Sequence, residues 1–383
     1  MTSARRLHLS PQRHRSLWDR LRSEWFLIAG IASLAVFLAT PISEATWPFA
    51  RAILFAWLFT AVLLCVFRVI HHAGELAARY GEPYGSMILT FSLLTIEISL
   101  IASVMLTGSK EPTLARDTMF AGIMLTMNGV VGVVLLIGGL QHFQQDYNLE
   151  GARAYLAALI PLAVIGLILP NFTSSGTGAL TTSQAFTIGI ATVIFYGIFL
   201  AIQTMRHRSF FVTPDRGHSS ENIIAPPAET SLPTSPAAHF ALLFAGLVVI
   251  VALSRELAVF VDYGIHRLAV PTAFGGILIA TLTLLPESIA ALKDALKDKL
   301  QNSVNVFLGG ALATIGLTVP CVLIIGALTD HEVVLGLKGP DMVLLLLTLF
   351  VSSMTFGGVR TNVLQGAVHI LIFVLYLILI MDP

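Results

Sequence analysis

The sequence has little charge and almost no cysteine. Only 11% of its 383 residues are charged, well below the roughly 25% of an average soluble protein. Lys and Arg balance Asp and Glu at 22 each, so no excess of positive charge favours nucleic acid as a partner. The two cysteines, Cys65 and Cys321, lie inside apolar runs, where they are typical of small buried side chains and say little about the redox compartment.

Motifs for phosphate chemistry are also missing. The chain has no glycine-rich loop that could cradle a phosphate and no Asp-rich magnesium motif. An ATP-driven pump, or a membrane enzyme that transfers prenyl or phosphoryl groups, would therefore have no residues to work with. We expect neither an enzyme nor a bound cofactor.

Apolar sequence is abundant, at 56% of the chain. After a polar, basic start at residues 1–24, apolar runs recur along the chain. Most are about 17 to 26 residues long, which as a helix spans the ~30 Å hydrocarbon core of a membrane. They predict an all-α polytopic membrane protein with about eleven transmembrane helices, at 25–40, 49–70, 85–107, 117–140, 153–169, 183–205, 239–261, 270–292, 303–328, 340–356 and 364–381.

One segment, residues 206–238, lacks apolar periodicity and is rich in Pro, Ser and Thr, which predicts a flexible linker. It separates six predicted helices from five. We therefore expect an extra N-terminal helix at 25–48, a five-helix unit at 49–205 and a second five-helix unit at 239–383. Lys and Arg are concentrated in the loops of one side, which places the N-terminus in the cytoplasm and the C-terminus outside. The two units are then inverted repeats, a plan in which secondary transporters bind their substrates at the membrane midplane.

Two of the apolar runs each carry a single acid near the middle. Glu97 lies in YGSMILTFSLLTIEISLIASVML and Glu287 in FGGILIATLTLLPESIAAL; aligned on an aromatic–glycine pair, both runs reach glutamate at the same position. A carboxylate at the centre of a membrane span is costly, and its default interpretation is functional. The alternative for Glu97 is a structural acid paired with a buried arginine, although Arg255 has Glu256 beside it. We predict one shared ion site, with both glutamates as ligands.

Residues near the glutamates are candidate secondary ligands. Pro286 would leave the carbonyl of Leu282 without its helical donor, and a free carbonyl beside a carboxylate suits a hard cation, but the proline could also be a simple kink. Asn128 could ligate a cation or hydrogen-bond between helices, and small hydroxyls often bond back to their own helix. The predicted secondary ligands or lining residues are Asn128, Thr95, Ser99, Thr283, Leu282, Pro286 and Asn305.

A separate group, His71, His72 and Glu75, lies at the end of the predicted helix 49–70. Metal sites sometimes use this spacing, but histidines at a membrane interface far more often bind no metal.

Two longer segments carry a family resemblance. GEPYGSMILTFSLLTIEISLIASVM and PESIAALKDALKDKLQNSVNVFLGGALATIGLTVP resemble the two α-repeats of bacterial calcium/proton antiporters, members of the calcium:cation antiporter superfamily. The resemblance extends over essentially the whole chain. It implies that Glu97 and Glu287 bind the cation and exchange it for protons, and that Asn128 matches the asparagine of the first repeat.

The chain departs from that family at several positions. Leu93-Leu94 and Thr283-Leu284 stand where many members have Gly-Asn, and Ala313 replaces a frequent glutamine. These changes resemble the branch that handles Na⁺ or K⁺ as well as Ca²⁺.

The resemblance implies a secondary-active cation/proton antiporter of a bacterial inner membrane. Ca²⁺ is the expected cation and Na⁺ or K⁺ exchange the alternative; a passive channel is less favoured, because it needs a continuous lined pore. Small inorganic cations and the lipid bilayer are the expected partners. Protonated carboxyls are tolerable in low dielectric, whereas ionised ones need a cation, so protons and cations would compete for the same oxygens.

Overall fold

The structure, a computed structural model, describes residues 24–39, 48–81, 84–107, 111–173, 176–212, 235–268 and 270–381. Most of the predicted basic start at 1–24 and of the predicted linker at 206–238 lies outside these residues. Eleven helices form the described part of the chain, which confirms the all-α prediction. They are α1 Trp25–Ala39, α2 Pro48–Tyr80, α3 Tyr84–Leu106, α4 Leu114–His142, α5 Leu149–Leu167, α6 Thr182–Arg206, α7 Pro236–Arg267, α8 Thr272–Leu296, α9 Leu300–Thr329, α10 Gly339–Thr355 and α11 Val363–Met381.

Nine of these helices, among the residues that the structure describes, are long and apolar enough to cross a membrane, and α1 and α10 are shorter apolar helices. Several run further than predicted, because their polar ends continue the helix. The helix α2 extends ten residues past the predicted end at 70, and α7 begins at Pro236, because the Ser235 hydroxyl caps it by accepting the Ala238 amide hydrogen bond. The segment Arg208–Phe211, predicted as linker, forms a 3₁₀ helix whose Phe211 is buried.

The contacts between helices recur when each helix is replaced by its counterpart in the other five-helix unit. The first helices of the units, α2 and α7, pack against each other. The contact of α3 with α7 has its counterpart in α8 with α2, and that of α4 with α8 in α9 with α3. Likewise, α4 packs on α11 as α9 packs on α6. Two internal repeats would produce this pattern; their inverted orientation and the unit boundaries stay predictions.

A short antiparallel ribbon joins two loops at one end of the bundle. Strand β1, Gln145–Asp146, pairs with β2, Arg360–Thr361. Arg360 Nε donates to Asp146 Oδ1 at 2.9 Å in an exposed ion pair. The ribbon holds the α4–α5 connection beside the α10–α11 connection.

A buried ion pair fixes the start of α4. Arg116 and Asp117 are only 4% and 5% exposed, although Arg116 precedes the predicted span at 117–140. Arg116 Nε donates to Asp117 Oδ1 at 2.8 Å and Nη1 to the Gly336 carbonyl at 2.9 Å. Asp117 Oδ2 accepts from the Thr272 hydroxyl at 2.8 Å. The pair therefore ties α4 to α8 and to the segment before α10.

We expect Asp117→Asn to lower the free energy of unfolding by about 3–5 kcal/mol, because it leaves the buried Arg116 guanidinium without a counter-charge. The measurement is thermal unfolding of the detergent-solubilised protein. Asp146→Asn is the matched control: it breaks the exposed pair with Arg360, and exposed pairs contribute about 1 kcal/mol or less. Equal stability losses in the two variants would contradict the prediction.

Candidate functional site

Both predicted glutamates line the same cavity. It has a volume of about 240 Å³ and lies between α3, α5, α6, α8 and α9. Glu97 enters it from α3 and Glu287 from α8, two helices that pack against each other. No Lys, Arg or His is among the described residues that line the cavity, so the two acids have no basic partner there.

Helix α9 forms the wall that faces both acids. The Thr314 hydroxyl donates to Glu97 Oε2 at 3.1 Å. Glu287 lies against Gly310, where an added Cβ would stand 3.3 Å from Oε2. The glycine thus lets the Glu287 carboxyl approach the backbone of α9.

Helices α4 and α9, which occupy corresponding places in the two units, each contain a π-helical turn. The turns are Leu125–Val130 and Thr314–Thr318. Such turns occur frequently at functional sites. In α9 the turn begins at Thr314, the residue that contacts Glu97, and in α4 it contains Asn128.

Two of the predicted secondary residues line the cavity. Thr283 does so, but its hydroxyl donates to backbone carbonyls of its own helix, at 3.0 Å from Ala280 and 3.3 Å from Ile279. Asn305 lines the cavity with its amide engaged on both sides: Nδ2 donates to the Phe211 carbonyl at 2.7 Å, and Oδ1 accepts from Gln301 Nε2 at 2.9 Å. The structure therefore brings Glu97, Glu287, Thr283 and Asn305 together.

Asn128 lies elsewhere. It is fully buried, with Nδ2 donating to the Thr348 hydroxyl at 2.8 Å and Oδ1 at 3.1 Å from His369 Nδ1. Of the two uses left open from the sequence, the structure shows the hydrogen bond between helices. Asn128 joins α4 to α10 and α11.

The other four candidates are also outside the cavity. Thr95 lies on a separate groove with Phe91, and its hydroxyl donates to the Phe91 carbonyl at 2.7 Å. The Ser99 hydroxyl donates to the Thr95 carbonyl. Leu282 and Pro286 are buried in α8, which continues through the proline from Thr272 to Leu296. The proline therefore does not interrupt this described helix, and the Leu282 carbonyl as a ligand stays a prediction.

Two polar residues that line the cavity, Gln203 and Tyr155, have no signal in the sequence that points to them. Gln203 Nε2 donates to the Tyr155 hydroxyl at 2.8 Å, and both side chains line the cavity. They come from α5 and α6, whose apolar parts hold no acid to mark them. A third lining residue, Thr314, directly follows Ala313, the position where the family frequently has glutamine.

Aromatic rings pack at one edge of the cavity, near the end of α6. The rings of Tyr155, Phe199 and Phe211 lie 5.1 to 6.0 Å apart. The backbone of the 3₁₀ segment is held by Asn148 Nδ2, which donates to the Ser209 carbonyl at 3.0 Å, and by Asn305. The last described residues before 213–234 thus pack against this end of the cavity.

Fold and site define a polytopic membrane protein with two half-buried acids, one from each half, on a shared cavity, as in secondary ion transporters. Residues 50–205 and 238–381 match the sodium/calcium exchanger protein family, and the chain belongs to this family.

Individual relatives cover most of the chain. It is 42% identical over 320 residues to the putative ionic transporter y4hA of Sinorhizobium fredii, covering 83% of this chain and 86% of the relative. It is 39% identical over 322 residues to the sodium-potassium/proton antiporter ChaA of Escherichia coli, with coverage of 83% and 86%. Among solved structures, the Ca²⁺/H⁺ antiporter YfkE aligns with a TM-score of 0.69 and 18% identity over 93% of this chain and 99% of YfkE. This last likeness shows the fold.

Proposed function

We propose that this chain is a secondary-active cation/proton antiporter whose exchange site is formed by Glu97 and Glu287. The observation that carries the proposal is that both carboxyls open onto one cavity whose described lining holds no basic residue. Ionised carboxylates in low dielectric need a positive charge, whereas protonated ones are neutral. A bound cation and bound protons therefore exclude each other.

Exchange follows from this exclusion if the site is exposed alternately to the two sides. The cavity is formed by α3, α5, α6, α8 and α9, and exchange of the two units turns this set into α8, α10, α11, α3 and α4. Only the first set surrounds the described cavity, while residues of the second set around Asn128 are buried. We propose that the opposite-facing state opens the second set and closes the first.

Ca²⁺ is the proposed cation, because two carboxylates match its charge. Na⁺ or K⁺ is the second candidate, favoured by the sodium-potassium/proton antiporter ChaA. The oxygen atoms of the cavity favour this second candidate. Ca²⁺ takes six to eight oxygens, but Ala313 supplies no side-chain oxygen and Asn128 lies outside the cavity.

We further propose a bacterial inner membrane location, with the N-terminus in the cytoplasm and the C-terminus in the periplasm. The support is the bias of Lys and Arg in the loops. In this orientation the cavity lies on the cytoplasmic side of the two glutamates, because Tyr155, Gln203 and Asn305 belong to the cytoplasmic halves of their helices.

The test uses everted membrane vesicles that carry a pH gradient, to which Ca²⁺, Na⁺ or K⁺ is added separately. Proton efflux that tracks uptake of the added cation supports antiport, and the cation that acts at the lowest concentration is the preferred substrate. Cation flux that runs freely without moving protons would instead indicate a channel and would overturn the proposal.

We expect Thr314→Val to weaken cation binding about tenfold at fixed pH. The Thr314 hydroxyl donates to Glu97 Oε2, and a hydrogen bond to a charged group contributes about 1.5–3 kcal/mol. Losing it favours the protonated carboxyl over the cation-bound carboxylate. The measurement is the cation concentration that gives half-maximal proton efflux.

Thr283→Val is the matched control in the same cavity. Its hydroxyl donates to the backbone of its own helix, so we expect a change of less than about twofold. Equal effects of the two substitutions would show that the Thr314 hydrogen bond has no special part in binding.

A further inference from the structure

We infer that His72 and His239 form a second proton-binding site, outside the cavity, that controls how α2 and α7 are joined. The inference rests on the proposed function, because it assigns a regulatory role to this second site. It gives a role to His72, one of the group His71, His72 and Glu75, which the exchange site does not use.

The two imidazoles meet between the five-helix units. His72 Nδ1 lies 3.0 Å from His239 Nδ1, and the residues are only 1% and 7% exposed. His72 belongs to α2 and His239 to α7, the first helices of the two units. A contact between these rings therefore joins the units directly.

Glu24 extends the contact to the start of α1. Its Oε2 lies 3.2 Å from His72 Nε2, and its carboxylate pairs with Arg68. Burial raises the pKa of Glu24, but the hydrogen bonds and positive charges of Arg68 and His72 more than offset this and lower it to about 2. Glu24 thus stays ionised at physiological pH, where histidine is the side chain that changes charge.

Glu24 and α1 precede the family-matched region, which begins at residue 50. The contact therefore couples a segment outside the matched exchanger region to both of its halves.

Proton counting shows how the contact responds to acid. With both rings neutral, His239 Nδ1–H can donate to His72 Nδ1 while His72 Nε2–H donates to Glu24. With one added proton, a single Nδ1–H still bridges the rings. With two, both Nδ1 atoms carry hydrogen, no acceptor remains and two cations face each other. The joined state therefore holds at most one added proton, whereas separated rings hold two.

The surrounding charges reinforce this limit. Glu24 at the start of α1 and Glu75 on α2 favour the first proton. Arg68 and Arg79 on α2 add positive charge that disfavours the second, and the ring of His71 lies 5.5 Å from that of His72. Because separation takes up one more proton, acid shifts the equilibrium towards separated rings by up to about tenfold per pH unit, in the range where histidine changes charge.

The ligand is a proton rather than a metal ion. Among the described residues, no group of three or more His, Cys, Asp or Glu side chains is arranged to hold a metal. In the proposed orientation the pair lies at the cytoplasmic end of α2 and α7. Opening it in acid would slow an exchanger that otherwise brings more protons into an acidified cytoplasm.

The test compares wild type with His239→Gln, in which the second proton has no place to bind. Cation-driven proton flux is measured in everted vesicles as the pH on the cytoplasmic face is varied from about 7.5 to 5.5. We expect the ratio of the rate at the lower pH to that at the higher pH to be at least about threefold larger in the variant. His72→Gln should behave alike, and His142→Gln, a cytoplasmic-end histidine that contacts the Leu296 carbonyl, should follow wild type.

A second readout does not depend on transport. Wild type in detergent should lose more thermal stability than His239→Gln between these pH values, because only wild type contains two imidazoles that must share protons. If no variant, including wild type, couples cations to protons, the proposed function fails while the melting difference still supports the proton site. If wild type exchanges ions but its pH curves coincide with those of His239→Gln, the inference is overturned.

Discussion

Replacing Glu287 by glutamine should reduce cation-driven proton flux to background. The substitution keeps the shape of the side chain and removes one of the two carboxylates in the cavity. A unit charge about 4 Å from a carboxylate gains about 4 kcal/mol at an effective dielectric constant of about 20, and 1.4 kcal/mol is tenfold in affinity. The loss therefore corresponds to roughly a thousandfold weaker cation binding. Everted vesicles with a pH gradient provide the measurement.

The control is Glu150→Gln, which removes a carboxylate at the exposed start of α5 and should leave the flux unchanged. Both variants must reach the membrane at wild-type levels. Full activity of Glu287→Gln would remove this residue from the site, and the proposal of two exchanging carboxyls would fail with it.

Replacing Gly366 by leucine should prevent accumulation of folded protein. Helices α4 and α11 touch through their backbones at Gly132 and Gly366. A Cβ on Gly366 would lie 2.9 Å from the Gly132 carbonyl oxygen and 2.9 Å from Leu136 Cα, distances that only movement of the backbone could relieve. Small residues at such crossings let membrane helices approach closely. We expect at least about a tenfold fall in monodisperse protein after detergent extraction, because overpacking alone costs 1–3 kcal/mol or more.

Gly366→Ala should give a graded version of the same defect, visible as a lower unfolding temperature. Gly197→Ala serves as the control, because a Cβ there meets no atom within 4 Å. Normal yield and stability of Gly366→Leu would show that α4 and α11 do not pack as described.

The helices could be predicted from the sequence because a membrane imposes a simple length requirement on apolar runs. Their ends could not, since α2 and α7 continue as helices beyond the apolar run that marks the span. The two glutamates could be predicted, because an acid in a long apolar run is rare and costly and is therefore visible in the sequence.

The residues around the two glutamates were harder to predict, because their positions depend on how the helices pack. Pro286 indicated either a carbonyl without its donor or a simple kink, and α8 continues through it, since one missing hydrogen bond is tolerated in a packed bundle. Asn128 could have faced either way, and its direction is fixed by Thr348 and His369 from the far end of the chain. Gln203 and Tyr155 meet only after α5 and α6 pack side by side.

The aromatic rings at the end of α6 anchor the last described residues of the first unit. Phe211 packs on Tyr155 and Phe199, and its carbonyl accepts from Asn305. The last described residues of the first unit are therefore anchored beside the cavity, and the first described residues of the second, at the Ser235 cap of α7, lie close to His239. A displacement of Phe211 would be transmitted to the cavity, and a displacement of the α7 cap to the histidine contact.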